Sequence, residues 1–130
     1  MPSHKTVWTK CSEYNRRKFA DDNGYVACVC CGKVKHWKEM DAGHFIPKKK
    51  GKAVYFLPEN IFPQCTGCNR PYSSAQAEKV KIAYTLWMVK TYGTEAVERL
   101  QRLSRGIEHS QEIDEWNDFY TSRLKALQCG

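Results

Sequence analysis

Two cysteine-rich segments, Cys28-Val29-Cys30-Cys31-Gly32 and Cys65-Thr66-Gly67-Cys68-Asn69, decide the fold of this chain. Each contains a C-x-x-C spacing, and 33 residues lie between the two pairs. A C-x-x-C turn directs two thiolates toward one point, and four thiolates complete the tetrahedron that Zn²⁺ prefers. The predicted ligands of a structural zinc ion are Cys28, Cys31, Cys65 and Cys68.

The other cysteines leave alternatives open. Cys30 lies between the ligands of the first pair and could replace one of them, although Cys28 and Cys31 have the favoured spacing. A redox role for this pair is the other alternative, but no βαβ pattern surrounds it. Cys11 and Cys129 have no paired neighbour, so we expect free thiols.

Length and composition indicate one domain, residues 1–130, of an ordinary globular protein, with 42% hydrophobic and 27% charged residues. No apolar run approaches the length of a membrane span. The first residues, Met1 to Lys5, lack the apolar stretch of a signal peptide. We therefore expect a cytoplasmic protein without a membrane segment, in which cysteines bind metal or stay reduced.

The positive charge lies in the first part of the chain. Residues 1–52 contain twelve Lys or Arg and five Asp or Glu, whereas residues 53–130 contain nine of each, so the net charge of +7 belongs to the first segment. A positive surface binds polyanions, of which nucleic acid is the commonest. A solvated surface without a partner is the alternative, and charge alone favours neither.

Helices are predicted on both sides of the cysteine-rich region. Residues 6–24 form an N-terminal helix with its stop at Asn23-Gly24, and one face carries Trp8, Cys11, Asn15 and Phe19. A capping box of Ser73 and Gln76 begins a helix that runs to Tyr92, with Gly93 as its stop. Apolar residues cover most of its circumference, so we expect it to be buried.

Two further helices complete the helical region 73–130. One is capped by Thr94 and ends before Gly106, and the other is capped by Ser110. The last helix carries a stripe of Ile113, Trp116, Phe119, Tyr120, Leu124 and Leu127. Core packing is favoured over a partner site for this stripe, because helical proteins bury one face.

Short strands are predicted between residues 25 and 64. Tyr25–Cys28 and Lys33–Trp37 flank the first cysteine pair as extended segments, and Glu39–Ile46 forms a strand. A polar loop with Pro47 follows, after which Val54–Leu57 could return antiparallel.

Polar residues between the cysteine pairs indicate catalysis. Asp41-Ala42-Gly43-His44 lies in the predicted strand, Asn60 precedes Ile61-Phe62, and Asn69 follows the last cysteine. This order resembles the HNH, or ββα-metal, endonucleases, in which two antiparallel strands and a helix hold a catalytic cation. The runs Cys-x-x-Cys-Gly, Ala-Gly-His-Phe and Glu-Asn-Ile-x-x-Gln-Cys-x-x-Cys-Asn resemble more closely the NinG (Rap) recombination proteins of lambdoid phages.

The resemblance implies an α+β fold in which residues 25–72 form a zinc-bound ββα-metal nuclease core. It makes His44 the general base and Asn69 a ligand of a catalytic Mg²⁺ or Mn²⁺, and Asn60 braces the hairpin and orients His44. Similarity to the phage junction-resolving endonuclease VII adds Asp41 as the second ligand. Many HNH enzymes have the acid directly before the histidine, where this chain has Gly43. Asp41 shares the face of residue 43 but lies about 6–7 Å further back along the strand.

Each assignment has a structural alternative. His44 could be a hydrogen-bonded strand residue, Asn60 a turn former and Asn69 a helix N-cap. His36 could compete as base or ligand, and His4 and His109 are expected to be exposed. The basic loop residues Lys48, Lys49, Lys50 and Lys52 are interpreted as phosphate contacts in preference to a solvated loop.

The sequence therefore predicts a metal-dependent DNA endonuclease of phage recombination that leaves 5′-phosphate and 3′-hydroxyl ends. Branched or Holliday-junction DNA is the substrate that the resemblance implies. The alternatives are a non-catalytic zinc module that binds nucleic acid or a recombination protein, and a restriction-like HNH nuclease. Symmetric junction cleavage needs two active sites, so we expect a homodimer, with the stripe from Ile113 to Leu127 as the candidate interface.

Overall fold

Short strands in the first half of the chain are followed by long helices in the second. The computed structural model describes residues 2–106 and 113–129. The elements are α1 (His4–Arg17), β1 (Tyr25–Ala27), β2 (Val34–His36), β3 (Asp41–His44), β4 (Ile61–Gln64), α2 (Thr66–Asn69), α3 (Ser74–Tyr92), α4 (Thr94–Arg105) and α5 (Ile113–Cys129). This mixture of helices and two small antiparallel sheets is the predicted α+β class.

Two hairpins organise the first half of the molecule. β1 pairs with β2 around the first cysteine segment. β3 pairs with β4, with Asp41 opposite Gln64 and His44 opposite Ile61. Because β4 leads directly into Cys65, this second hairpin connects the histidine strand to the second cysteine segment.

The predicted return strand at Val54–Leu57 is wrong, since the strand that pairs with β3 is β4. Residues Lys52–Val54 and Pro58–Asn60 form 3₁₀ turns instead. Val54 and Phe56 are buried, and Phe56 packs in a core with residues of α1 and α5. The apolar residues of this segment therefore pack into the core against α1 and α5 and do not form a strand.

α1 begins earlier and ends earlier than predicted. The Ser3 side chain caps it by accepting a hydrogen bond from the Thr6 amide at 3.1 Å, as serine commonly does. Cys11 and Asn15 lie on its buried face, as predicted, together with Val7. Phe19 lies beyond the helix and is 48% exposed.

α3 has the predicted bounds and an unpredicted environment. Ser73 accepts a hydrogen bond from the Gln76 amide, and Gly93 ends the helix at φ 92°, in the left-handed region that glycine tolerates. The prediction of a buried helix is wrong, because Ile82 and Leu86 are 56% and 64% exposed.

α4 and α5 close the helical region. α4 has the predicted length, but its N-cap is Gly93 rather than Thr94. The predicted cap Ser110 and the exposed His109 lie outside the described residues. α5 packs along α1, and its stripe residues Trp116 and Tyr120 are buried, which confirms the core interpretation for these two residues. The homodimer stays a prediction.

No described helix combines the length and the apolar character that crossing a membrane requires.

Candidate active site

The four predicted cysteines meet at one point. Their Sγ atoms lie within 4.8 Å of one another, and the Sγ atoms of Cys31 and Cys65 are 3.7 Å apart. A tetrahedron with Zn–S distances of about 2.3 Å has S–S edges of roughly 3.8 Å. The cluster could therefore hold a zinc ion with little rearrangement.

Two tight turns aim these thiols. In the first, the Gly32 amide donates to the Cys28 carbonyl at 2.9 Å, and Gly32 has φ 78°, a conformation that costs glycine little. In the second, the amides of Cys68 and Asn69 donate to the Cys65 carbonyl at 3.1 and 3.0 Å. The cysteine spacing thus encodes the local geometry that brings each pair together.

Cys30 is a neighbour of the cluster rather than a member of it. A hydrogen bond with Cys30 is the main influence that lowers the pKa of Cys28, to about 3, and the same bond raises the pKa of Cys30. Cys31 completes the cluster of four, as the favoured spacing predicts.

Asp41 and Asn69 lie side by side, although 28 positions separate them. The Asn69 Nδ2 atom donates to Asp41 Oδ2 at 3.0 Å, and Arg70 Nε lies 3.7 Å from the same oxygen. Asn69 is the last residue of α2, whereas Ser73 caps α3, so the N-cap interpretation of Asn69 is wrong. A carboxylate and an amide at one place offer the oxygen donors that hard divalent cations prefer.

His44 contacts two aromatic rings, Trp8 and Tyr55, which also contact each other with centroids 5.3 Å apart. Its ring stacks on Tyr55, with centroids 4.6 Å apart, and on Trp8, at 5.2 Å. Its Nε2 atom lies 2.8 Å from the Tyr55 carbonyl oxygen. Burial lowers the pKa of His44 below its usual 6.5; the bond to Tyr55 opposes this shift and the nearby Lys48 adds to it.

The tautomer of His44 follows from this bond. A carbonyl oxygen only accepts, so Nε2 carries the proton when the ring is neutral. The lone pair of the neutral imidazole is then on Nδ1. His44 is therefore neutral near pH 7 and keeps one nitrogen able to accept a proton.

Asn60 is fully buried and fixes the loop that connects β3 and β4. Its Oδ1 atom accepts from the Ile46 amide at 2.8 Å, and its Nδ2 atom donates to the carbonyls of Ile46 and Val54 at 3.0 and 3.2 Å. These bonds tie together the two ends of the loop that carries the Tyr55 carbonyl. Asn60 could therefore orient His44 through the Tyr55 carbonyl, and this role stays a prediction.

A cleft of about 320 Å³ contains part of the predicted site. His44 and Asn69 line it from the hairpin side, and Val80, Lys81 and Tyr84 of α3 form the opposite wall. Asp41 lies beside it through its contact with Asn69. A larger cavity of about 440 Å³ is lined by Lys18, Tyr92 and Arg99 among others, and none of the predicted site residues lines it.

One of the four basic loop residues lines the cleft. Lys48, Lys49, Lys50 and Lys52 are all exposed. Lys48 lines the cleft, and its Nζ lies 5.3 Å from the centroid of the Tyr55 ring. The competing His36 lies in the other hairpin and caps a 3₁₀ turn there, so the geometry favours His44 as the histidine of the cleft.

Three neighbours of the site were missed by the sequence reasoning. Trp8 was assigned to a helix face without a partner, Tyr55 was placed in a strand, and Gln64 was given no role. The Gln-Cys run before the last cysteine pair is the signal that could have drawn attention to Gln64. The role of Tyr55 depends on its backbone carbonyl, for which side-chain patterns give no signal.

Comparison with known proteins identifies the family. The family model described as bacteriophage lambda NinG protein matches residues 7–129. No curated protein and no solved structure matches the chain significantly. Because the family match covers nearly the whole length, the chain belongs to the NinG family.

Proposed function

We propose that this member of the NinG family is a metal-dependent DNA endonuclease that acts on branched DNA, such as a Holliday junction. The observation that carries the proposal is the environment of His44, a half-buried histidine whose Nε2 is engaged by a carbonyl and which lines the same cleft as Asn69. Branched DNA and the 5′-phosphate and 3′-hydroxyl products rest on the resemblance to junction-cutting nucleases.

His44 suits the role of general base. The Tyr55 carbonyl fixes the ring with Nδ1 as the accepting nitrogen, and Trp8 and Tyr55 hold the ring plane. Because its pKa is below 6.5, the imidazole is unprotonated near neutral pH. It can then take a proton from a water molecule that attacks a phosphodiester.

Asp41 and Asn69 suit a hard cation. Their side chains already touch at 3.0 Å, so one ion could contact both after the amide turns its oxygen toward the carboxylate. Mg²⁺ or Mn²⁺ bound there would supply stabilisation of charge on the departing 3′-oxygen. The cysteine cluster, with its thiolate donors, suits zinc and a structural role instead.

The lysines suit the DNA backbone. Lys48 and Lys81 line the cleft on its two sides, and Lys49, Lys50 and Lys52 extend the positive surface along the exposed loop. Such contacts would position the phosphate and would weaken with added salt.

The test is cleavage of a labelled four-way junction and of a matched linear duplex by the zinc-loaded protein with Mg²⁺ or Mn²⁺. We expect junction cutting that requires the divalent cation and falls by at least about a hundredfold in His44→Ala, as removal of a general base commonly gives. His36→Ala is the matched control, because this histidine lies outside the cleft, and it should cut normally.

Other outcomes separate the alternatives. Junction binding with no cutting under any metal condition would favour a non-catalytic zinc module. Preferred cutting of the linear duplex at particular sequences would favour a restriction-like nuclease. Full activity in His44→Ala would remove the basis of the catalytic assignment.

A further inference from the structure

A glutamine side chain that the proposed mechanism does not use lies at the base of the cleft. Gln64 is 3% exposed and lines the cleft together with His44 and Asn69. Burying an amide is costly unless its polar atoms are used. The Gln64 Nε2 atom donates to Cys30 Sγ at 3.2 Å, which directs the amide oxygen away from the cysteine cluster.

The amide oxygen occupies space that belongs to another residue. A Cβ atom on Gly43 would lie 1.7 Å from Gln64 Oε1 and 2.5 Å from Cδ. Any side chain at position 43 would therefore displace the amide. Because Gly43 has no side chain, the Gln64 amide oxygen can occupy the space beside it.

The same face of the hairpin carries the other oxygen donors. Asp41 is directly opposite Gln64 in the strand register, so the two side chains leave the sheet on the same side. Asn69 contacts Asp41 from α2. Three oxygen-bearing side chains thus lie at one face of the hairpin, and two of them, Gln64 and Asn69, line the same cleft as His44.

We propose that Gln64 Oε1 is a third protein ligand of the catalytic cation and takes the place of an acid at residue 43, whose side chain would need the space that the amide fills. This inference rests on the proposed nuclease function. It explains how a site with glycine directly before the histidine could still present enough oxygen ligands for Mg²⁺ or Mn²⁺.

The test measures Mn²⁺ binding to the zinc-loaded protein without DNA, from the electron paramagnetic resonance signal of free Mn²⁺. Gln64→Leu removes the oxygen and keeps a similar shape, and we expect the Mn²⁺ affinity to fall by about tenfold or more, as loss of metal-site contacts commonly gives. Zinc content and the melting temperature are measured on the same samples. Gln101→Leu, on the exposed side of α4, is the matched control and should bind as the wild type does.

A second set of variants tests whether the Gln64 amide needs the space beside Gly43. Gly43→Ala should displace the amide and weaken Mn²⁺ binding although Gln64 is present. The double variant Gly43→Asp with Gln64→Ala should recover binding, because a carboxylate then enters the vacated space. If Gln64→Leu loses zinc, the ligand role is tested with Gln64→Glu instead. This variant should bind Mn²⁺ more tightly than the wild type if residue 64 is a ligand, and no more tightly if its role is purely structural.

Failure of this inference can be distinguished from failure of the nuclease proposal. A wild type that binds Mn²⁺ and cuts DNA, beside a folded Gln64→Leu that binds Mn²⁺ equally well, would overturn the ligand role alone. A wild type that neither binds Mn²⁺ nor cuts DNA would overturn both.

Discussion

The contacts of His44 with the Trp8 and Tyr55 rings influence both where its ring points and when it is charged. Two aromatic rings exclude water from the imidazolium and so disfavour the charged form. The hydrogen bond to the Tyr55 carbonyl acts in the opposite direction, and Lys48 adds repulsion. The net effect is a pKa below the ordinary 6.5, with burial as the largest cause.

This environment predicts the pH dependence of cutting. Since protonated His44 cannot accept a proton, kcat/KM for junction cleavage should be constant near pH 7 and should fall as the pH decreases through a midpoint below 6.5. Lys48→Gln removes one lowering influence, so its midpoint should move toward higher pH. A wild-type midpoint well above 6.5 would show that another group limits the reaction.

Lys18 is a second half-buried group whose surroundings fix its role. Its Nζ atom donates to Asn15 Oδ1, to the Pro58 carbonyl and to the Ile61 carbonyl at 2.7–2.9 Å. Burial lowers its pKa to about 7, while three acceptors match the three N–H bonds of an ammonium group. Lys18 thus ties α1 to the turn before β4.

We expect Lys18→Met to destabilise the protein by about 2 kcal/mol, because three acceptors lose their donor. This loss is larger than the gain from no longer burying an ammonium group. Urea unfolding at pH 6, where the ammonium form predominates, measures the change. Lys79→Met, an exposed residue of α3, should change the free energy of unfolding by less than about 0.5 kcal/mol. Equal stability of the two variants would contradict the structural role of Lys18.

At the residue scale, the sequence predicts functional side chains when their spacing along the chain is characteristic of a site. The four cysteines were found this way, since C-x-x-C spacing implies a common point. The Asp41–Asn69 contact was implied by the family resemblance alone. Gln64 and the Tyr55 carbonyl could not be found, because their roles depend on how β4 and the long loop pack in three dimensions.

At the element scale, the loop between β3 and β4 behaves as a folded unit. Phe56 and Val54 anchor it in the interior, and the hydroxyl of Tyr120 on α5 donates to the Phe56 carbonyl. The neighbouring Tyr55 carbonyl is the acceptor for His44. The loop therefore links α5 to the orientation of the proposed base.

The element boundaries show where sequence patterns suffice. Ser73 and Gly93 gave the correct bounds of α3, because caps act locally through the backbone. The predicted return strand was misplaced because Val54–Leu57 is as apolar as a strand. Its apolar pattern does not show that Phe56 packs against α1 and α5 while β4 pairs with β3. The exposure of Ile82 and Leu86 was missed for the same reason, since an apolar circumference does not show which neighbours exist.

Asn60→Asp tests the loop as a unit. The change keeps an acceptor for the Ile46 amide but replaces the donor that serves the Ile46 and Val54 carbonyls, so we expect a loss of about 2–3 kcal/mol of stability from unpaired buried groups. Junction cutting at 15 °C, where the variant stays folded, should also fall if the loop orients His44. Unchanged stability would contradict the hydrogen bonds, and unchanged cutting by a destabilised variant would limit Asn60 to a structural role.

On the scale of the whole molecule, the cysteine cluster connects the first cysteine segment to the second. Val26 and Met40 pack against the cluster cysteines, and the Val29 amide donates to the Pro63 carbonyl at 3.1 Å, which joins the first cysteine segment to β4. α1 and α5 pack on the other side of the hairpin. Bound zinc would replace the weak contacts among these four sulfurs, such as that between Cys31 and Cys65, with four metal–thiolate bonds.

Removal of either metal should therefore abolish cutting, but only the removal of zinc should lower the melting temperature. Extraction of zinc by a zinc-selective chelator should lower the melting temperature sharply and abolish cutting even with excess Mg²⁺, because structural zinc sites contribute about 10 kcal/mol or more of binding energy to folding. Omission of Mg²⁺ should abolish cutting and leave the melting temperature unchanged.

Thermal unfolding by circular dichroism, with zinc content measured on the same samples, separates these effects. Cys65→Ala should behave like the zinc-depleted protein, and Cys129→Ala, which alters a thiol outside the four, should behave like the wild type. A zinc-free protein with an unchanged melting temperature would refute the structural role of the cluster. A protein that requires zinc alone for cutting would move the chemistry from the His44 cleft to the cysteines.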